Sequence, residues 1–271
     1  MDRYVVIGNP ISHSLSPAIH ARFAEQTGES IRYERLLVAL GEFDAEARRF
    51  FDGGGAGANV TLPFKVDAFE WADSSSERAR AAGAANFLIA RGGRIEADNT
   101  DGAGLVTDLA VNMGFEIGGA RILLVGAGGA ARGVIAPLLA KSPQLLLIAN
   151  RTAERAHELA ARFRSLGPIE AVALDSIPGG SFDLVLNATS SSTRGETLPL
   201  PDAAFAAGAL AYDMAYGSAA RHFLERARGH GMKTCDGLGM LVEQAAESFE
   251  LWRGKRPQTA VILAELRSRI S

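Results

Sequence analysis

What the sequence lacks removes several classes of protein at once. It holds one cysteine, Cys235, in 271 residues, so no internal disulfide is available and a reducing compartment fits best. It has no charge excess: 28 basic against 31 acidic residues leave a formal charge of −3. A nucleic-acid binder needs a basic surplus to release counterions from the backbone. No block of like charge suggests a charged tail. No apolar run nears the roughly 18–20 residues that cross a bilayer. No Cys/His cluster has metal-ligand spacing, and His13 with His20 does not make one. Met1-Asp2-Arg3-Tyr4 runs straight into a strand-like stretch, without the basic, apolar and small-residue regions of a leader. The expectation is a cytoplasmic chain whose work involves no membrane, nucleic acid or metal. With 47% hydrophobic and 22% charged residues the composition is ordinary for a globular protein. One large domain or two modest ones fit the length.

What is present is glycine, 30 of them, many where backbone must approach something closely. Short apolar runs alternate with helical periods. A strand at 5–7 precedes a helix at 16–26, then a strand at 31–38 and a helix at 42–52. Two short strands, 86–91 and 94–98, flank Gly92-Gly93, and a helical pattern runs from Thr100 to Met113. From 118 to 237 the alternation is more regular, with strands at 121–125, 145–149, 182–188, 209–214 and 232–235. Closing helices are expected at 238–254 and 259–270. This predicts an α/β protein of two domains, the second doubly wound.

Gly126-Ala127-Gly128-Gly129-Ala130-Ala131 follows the strand Arg-Ile-Leu-Leu-Val and opens a helix. It fits Gly-x-Gly-x-x-Gly/Ala, in which glycines allow a tight turn and close approach of backbone to a pyrophosphate. Backbone N–H groups and the helix dipole then hold phosphate charge. An NAD site usually has an acidic residue about 20 positions on, for the ribose 2′-OH. Here the next strand ends Asn150-Arg151-Thr152, with Arg155 one turn later. No carboxylate stands at the strand end to repel a 2′-phosphate, and two guanidinium groups can pair with one. NADP is therefore the expected cofactor. The plainer alternative makes Thr152 a helix cap and the arginines solvated.

Three polar motifs precede this turn. Ser14-Leu15-Ser16-Pro17 opens a helix; Ser16 alone reads as an N-cap, and the pair of hydroxyls at a positive helix end also suits a small carboxylate. Asn59 and Thr61 alternate along a strand and share a face. Pro63 then starts a helix with Lys65 in its first turn, where the dipole disfavours a cation. Asp98-Asn99-Thr100-Asp101-Gly102 follows a strand into a helix, where an Asp is ordinary at a helix start.

Taken together, Ser-x-Ser-Pro, Asn-Val-Thr-x-Pro-Phe-Lys, Asn-Thr-Asp-Gly-x-Gly, Gly-Ala-Gly-Gly-Ala-Ala-Arg and Asn-Arg-Thr, in that order from Ser14 to Gln244, resemble the shikimate dehydrogenase family. Asn86-Phe87 departs from it, many members having Asn-Thr; the expected effect is on packing. The resemblance implies a substrate domain over 1–101, completed by 238–271, and a Rossmann-like NADP domain over 102–237. It implies a catalytic pair, Lys65 and Asp101. Ser14, Ser16 and Tyr216 would hold the substrate carboxylate, and Asn59, Thr61, Asn86 and Gln244 would surround the ring hydroxyls. Gly126, Ala127, Gly128, Gly129, Ala130, Asn150, Arg151, Thr152 and Arg155 would bind NADP, with Met214, Gly237 and Glu77 near the nicotinamide. The implied reaction is reversible NADPH-dependent reduction of 3-dehydroshikimate to shikimate by a monomer or homodimer. The residues do not distinguish Lys65 as proton donor from Lys65 as electrostatic anchor. A quinate/shikimate dehydrogenase using NAD and a non-catalytic NADP-binding regulator are the alternatives.

Overall fold

The protein is described here by a computed structural model, over residues 1–192 and 196–270, with the Ile270 side chain left out. Residues 193–195 and Ser271, which fall inside the expected spans 102–237 and 238–271, lie outside the described residues.

Two six-stranded sheets organise the chain. The first holds β1 (Asp2–Gly8), β2 (Ile31–Leu37), β3 (Gly55–Val60), β4 (Ser74–Ser75), β5 (Phe87–Arg91) and β6 (Arg94–Asp98), in the order β2-β1-β3-β5-β6-β4. β1 runs parallel to β2 and β3, whereas β5 is antiparallel to both β3 and β6. The β5–β6 hairpin closes through Gly92 and Gly93, at φ 57° and 76°; a two-residue hairpin turn with both φ positive selects glycine. Helices α1 (Ser16–Thr27), α2 (Phe43–Asp52), α3 (Lys65–Trp71) and α4 (Glu77–Ala82) connect these strands.

After α5 (Asp101–Thr107) comes the second sheet: β7 (Arg121–Val125), β8 (Leu145–Asn150), β9 (Ile169–Ala173), β10 (Leu184–Asn187), β11 (Leu210–Asp213) and β12 (Lys233–Asp236). Its order is β12-β11-β10-β7-β8-β9 and every pairing is parallel. This is the doubly wound order, with its switch point between β7 and β10. Period-two alternation explains why the strands are apolar throughout. Ile122, Leu124, Ile148 and Leu186 face one core, and Leu123, Val125, Leu147 and Val185 the other. Helices α6 (Gly129–Leu139), α7 (Ala153–Phe163) and α8 (Arg221–Gly229) belong to this region.

α9 (Leu238–Arg253) and α10 (Thr259–Ile270) then return to the first sheet. Val242, Ala246, Phe249, Ile262 and Leu266 share a core with Ile19 and Phe23 of α1. Phe87 stacks on Trp252 with ring centroids 5.1 Å apart, so the departure at position 87 is filled by packing.

The helix expected over 100–113 is divided. α5 ends at Thr107, and Asp108–Asn112 forms a π-helical turn, Met113 N–H reaching the Asp108 carbonyl five residues back at 3.0 Å. The turn aims the buried Asp108 carboxylate inward, where it accepts from Tyr212 Oη at 2.6 Å and Asn112 Nδ2 at 2.9 Å. α5 itself is wedged between α6 and α9. A Cβ on Gly102 would lie 2.3 Å from Pro137 Cγ, and one on Gly104 would lie 2.7 Å from the Gln244 backbone N. No side chain fits at either position.

Candidate active site

A cleft of about 1120 Å³ opens between the sheets, lined by residues after the carboxyl ends of β1, β7, β8, β10, β11 and β12. Ligands of open α/β sheets occupy that end. Lys65 and Asp101 meet in it. Phe64, buried at 2%, anchors the start of α3, and Lys65 follows as its first residue. Its Nζ lies 2.6 Å from Asp101 Oδ2, and both side chains are buried. Asp101 opens α5, where a carboxylate suits the positive helix end, and it offsets the misplaced cation at the start of α3.

The pair belongs to a wired floor. Asn86 Nδ2 donates to Asp101 Oδ1 at 2.9 Å and to Gln244 Oε1 at 3.1 Å; Asn86 Oδ1 accepts from Thr100 N at 2.7 Å. Asn59 Nδ2 donates to Ser248 Oγ at 2.9 Å, and Asn59 Oδ1 accepts from Tyr33 Oη at 2.8 Å. Thr61 lines the cleft just beyond the end of β3. Below them His20 stacks on Tyr33, with ring centroids 4.2 Å apart. Neither His20 ring nitrogen has a hydrogen-bond partner, and burial pushes the imidazole down to about 3. It is neutral at neutral pH.

Ser14 and Ser16 sit at the opposite wall, their hydroxyl oxygens 3.2 Å apart. The capping reading of Ser16 is overturned. Leu15 holds the cap position, Ser16 is already helical, and no side chain caps α1. Ser16 N–H reaches Ser14 Oγ at 3.3 Å instead, and both serines line the cleft. Arg35 fixes this turn from behind, donating to the Ser14 carbonyl through Nη2 at 2.6 Å and Nε at 3.1 Å. Tyr216 completes the wall, and burial raises its phenol.

The facing wall is mostly backbone. Gly126 follows β7 at φ 112°, a conformation that favours glycine. Gly128 holds the cap position of α6 with no side-chain cap bond, and nothing lies within 4 Å of where its Cβ would be. Uncapped N–H groups and open space at a helix start form a cradle for phosphate, so the residues fit a dinucleotide. A Cβ on Gly129 would lie 3.4 Å from Lys65 Cβ, which sets the glycine turn directly against the Lys65 side of the cleft. Ala127 and Ala130 line it too, as do Asn150, Arg151 and Arg155, the two arginines exposed. Met214 and Gly237 close it beside Ala215, whose carbonyl accepts from Gly237 N at 2.9 Å.

Two of the expected residues stand outside the residues that line the cleft. Thr152 does not line the cleft, and its side chain does not cap α7 either; its carbonyl accepts from Asn150 Nδ2 at 2.8 Å. Glu77 is exposed at the start of α4, outside the lining. The next residue explains this. Arg78 turns inward, forking onto Asp98 through Nε at 2.7 Å and Nη2 at 2.9 Å and reaching Glu247 at 2.8 Å. One step along a helix rotates a side chain by about 100°, and Glu77 faces solvent. Conversely, Thr189, Ser190 and Ser191 line the cleft without having been singled out. They follow β10, the strand beside the switch point, and that rule alone could have found them.

Three family descriptions match the chain: the shikimate dehydrogenase substrate binding domain at residues 6–88, shikimate / quinate 5-dehydrogenase at 108–195, and the shikimate 5′-dehydrogenase C-terminal domain at 237–267. A shikimate dehydrogenase (NADP(+)) of Dechloromonas aromatica (strain RCB) is 55% identical over 270 residues, covering 99% of this chain and 98% of that one. Among solved structures, an Ael1 enzyme from Pseudomonas putida superposes with a TM-score of 0.91 at 44% identity, covering 98% of each chain. Shikimate 5-dehydrogenase from Thermus thermophilus in complex with NADP(H) and shikimate superposes at 0.87 with 32% identity, covering 99% of each chain.

Proposed function

The chain belongs to the shikimate dehydrogenase family, and from that premise we propose that it interconverts 3-dehydroshikimate and shikimate with NADPH and NADP⁺. The Lys65–Asp101 ion pair, set in the cleft against the glycine turn at Gly129, carries this reading.

Bound NADPH supplies the hydride for the ketone carbon. Negative charge then develops on the carbonyl oxygen, and the Lys65 ammonium stabilises it and donates the proton that completes the hydroxyl. Asp101 holds Lys65 in line and accepts from a neighbouring substrate hydroxyl. In the reverse direction the amine takes that proton back. Ser14, Ser16 and Tyr216 bind the carboxylate, and Asn59, Thr61, Asn86 and Gln244 orient the ring hydroxyls. Gly126, Ala127, Gly128, Gly129 and Ala130 hold the pyrophosphate with Asn150 beside them, Arg151 and Arg155 pair with the 2′-phosphate, and Met214 and Gly237 flank the nicotinamide. Residues 1–101 with 238–271 make the substrate domain and 102–237 the cofactor domain. The working unit is a monomer or homodimer in the cytoplasm, to be checked by sedimentation and cell fractionation. No described helix is long and apolar enough to cross a membrane.

The test is absorbance at the NADPH band on adding shikimate and NADP⁺, with quinate and NAD⁺ run in parallel. Turnover is expected with shikimate and NADP⁺ first. Quinate with NAD⁺ as the better pair would favour the broader dehydrogenase, and no turnover with any pair a regulatory NADP binder.

A further inference from the structure

Behind the cofactor wall lies a buried polar cluster that the mechanism above does not use. Asn187 ends β10 and Asp213 ends β11, paired side by side, and both are fully buried. Asp213 Oδ2 accepts from Asn187 Nδ2 at 2.9 Å and from Ser192 Oγ at 2.6 Å, and its Oδ1 accepts from Ala215 N at 2.8 Å. Asn187 Oδ1 in turn accepts from Thr189 N at 3.0 Å and Thr189 Oγ1 at 2.8 Å. The Asn187 carbonyl accepts from Met214 N at 2.9 Å. Thr189, Met214 and Ala215 all line the cleft, as does Tyr216 next to them, while Asn187 and Asp213 do not.

Burying a carboxylate among neutral donors is costly. Burial raises the Asp213 carboxyl, and the bonds from Ser192, Ala215 and Asn187 oppose that rise. The cost secures a geometric result. The loop after β10 and the loop after β11 are tied to one another through two side chains, and both loops line the cleft.

Resting on the dehydrogenase reading, we infer that Asn187 and Asp213 form a positioning pair that locks these two loops together, so that Thr189 after β10 keeps one fixed spacing from Met214, Ala215 and Tyr216 after β11. The pair touches neither ligand. It acts through Thr189, Met214, Ala215 and Tyr216.

The bonding pattern makes a discriminating test. Both Asp213 oxygens accept, so Asp213→Asn keeps the shape and forces a donor onto a donor: whichever way the amide turns, its NH₂ faces the Ala215 N–H or the Asn187 NH₂. Adding Asn187→Asp repairs this. The carboxylate at position 187 then accepts from Thr189 and from the amide at 213, whose oxygen takes the Ala215 N–H, and Ser192 donates to the carboxylate's new position. A merely structural role predicts lost melting temperature alone. Positioning predicts that Asp213→Asn lowers kcat/KM for shikimate and for NADP⁺ together, by about 10–100-fold, weakens NADPH binding read by its fluorescence, and that the exchanged pair returns all three toward wild type. Wild-type kinetics in Asp213→Asn would overturn the inference, as would an exchanged pair no better than the single variant. Should Asp213→Asn fail to fold, the exchanged pair decides alone: it must fold and turn over near the wild-type rate. A wild type without turnover would instead overturn the dehydrogenase reading, and NADPH affinity across the variants would still decide the positioning claim.

Discussion

The two walls of the cleft are built in opposite ways. On the substrate side, polar side chains bond to one another: Lys65 to Asp101, Asp101 to Asn86, Asn86 to Gln244, Asn59 to Ser248 and Tyr33. On the cofactor side the cleft surface is a glycine turn with uncapped N–H groups and two exposed arginines. The side-chain bonding there is one layer back, at Asn187 and Asp213. A small ring with several hydroxyls needs directional partners held in advance, since each donor or acceptor left unmatched costs binding. A pyrophosphate needs close approach and diffuse positive charge, which backbone and helix dipole supply without side-chain order.

The contrast breaks first, if it is wrong, at Lys65. Lys65→Ala should lower kcat by about 10²–10⁴ with a much smaller change in the KM for shikimate; an unchanged kcat in steady-state assays would remove the pair from the chemistry.

Acid should separate the two sides next. Among the described residues, the buried side-chain polar atoms without a partner are the two ring nitrogens of His20, under the substrate floor. Unfolded, that ring takes a proton near 6.5; folded, only at about 3. Between those values the unfolded chain binds one more proton, so stability falls with falling pH by about 1.4 kcal/mol per unit. His20→Phe keeps the stack on Tyr33 and should flatten that slope in urea titrations at successive pH values. Parallel slopes for variant and wild type would mean the ring is already protonated in the folded chain.

Smallest is the effect expected at the rim. Arg151→Ala should raise the KM for NADPH by about tenfold, the worth of one charge-assisted bond to phosphate, and leave the KM for NADH alone. Equal losses with both cofactors would make Arg151 a general contact rather than a reader of the 2′-phosphate.

The same contrast explains which parts could be read in advance. The glycine turn is local: strand, Gly126 to Ala131 and helix are contiguous, and each glycine has a steric reason visible in sequence. Lys65 and Asp101 are 36 residues apart and carry only weak local hints, a lysine at the wrong helix end and an aspartate at the right one. Motif resemblance paired them. Tyr33 and Ser248, which hold Asn59 from two sides, and Arg35, which holds Ser14, come from distant elements and leave no local trace. The π-helical turn at Asp108 was invisible because Leu105 and Leu109 keep an ordinary helical spacing. Glu77 is exposed, and nothing nearby in sequence says that Arg78 claims the inward direction.

The return of α9 and α10 to the first sheet has a consequence for how the molecule is made. On the ribosome, the first hundred residues emerge with Ile19 and Phe23 still bare, because Val242, Phe249 and Ile262, which cover them, are synthesised more than two hundred residues later. Gln244 and Ser248 arrive on the same late segment. The nascent chain can therefore finish its second sheet before the earlier sheet has its cover, and the wall of the cleft that holds Gln244 closes only when translation has passed the second sheet entirely.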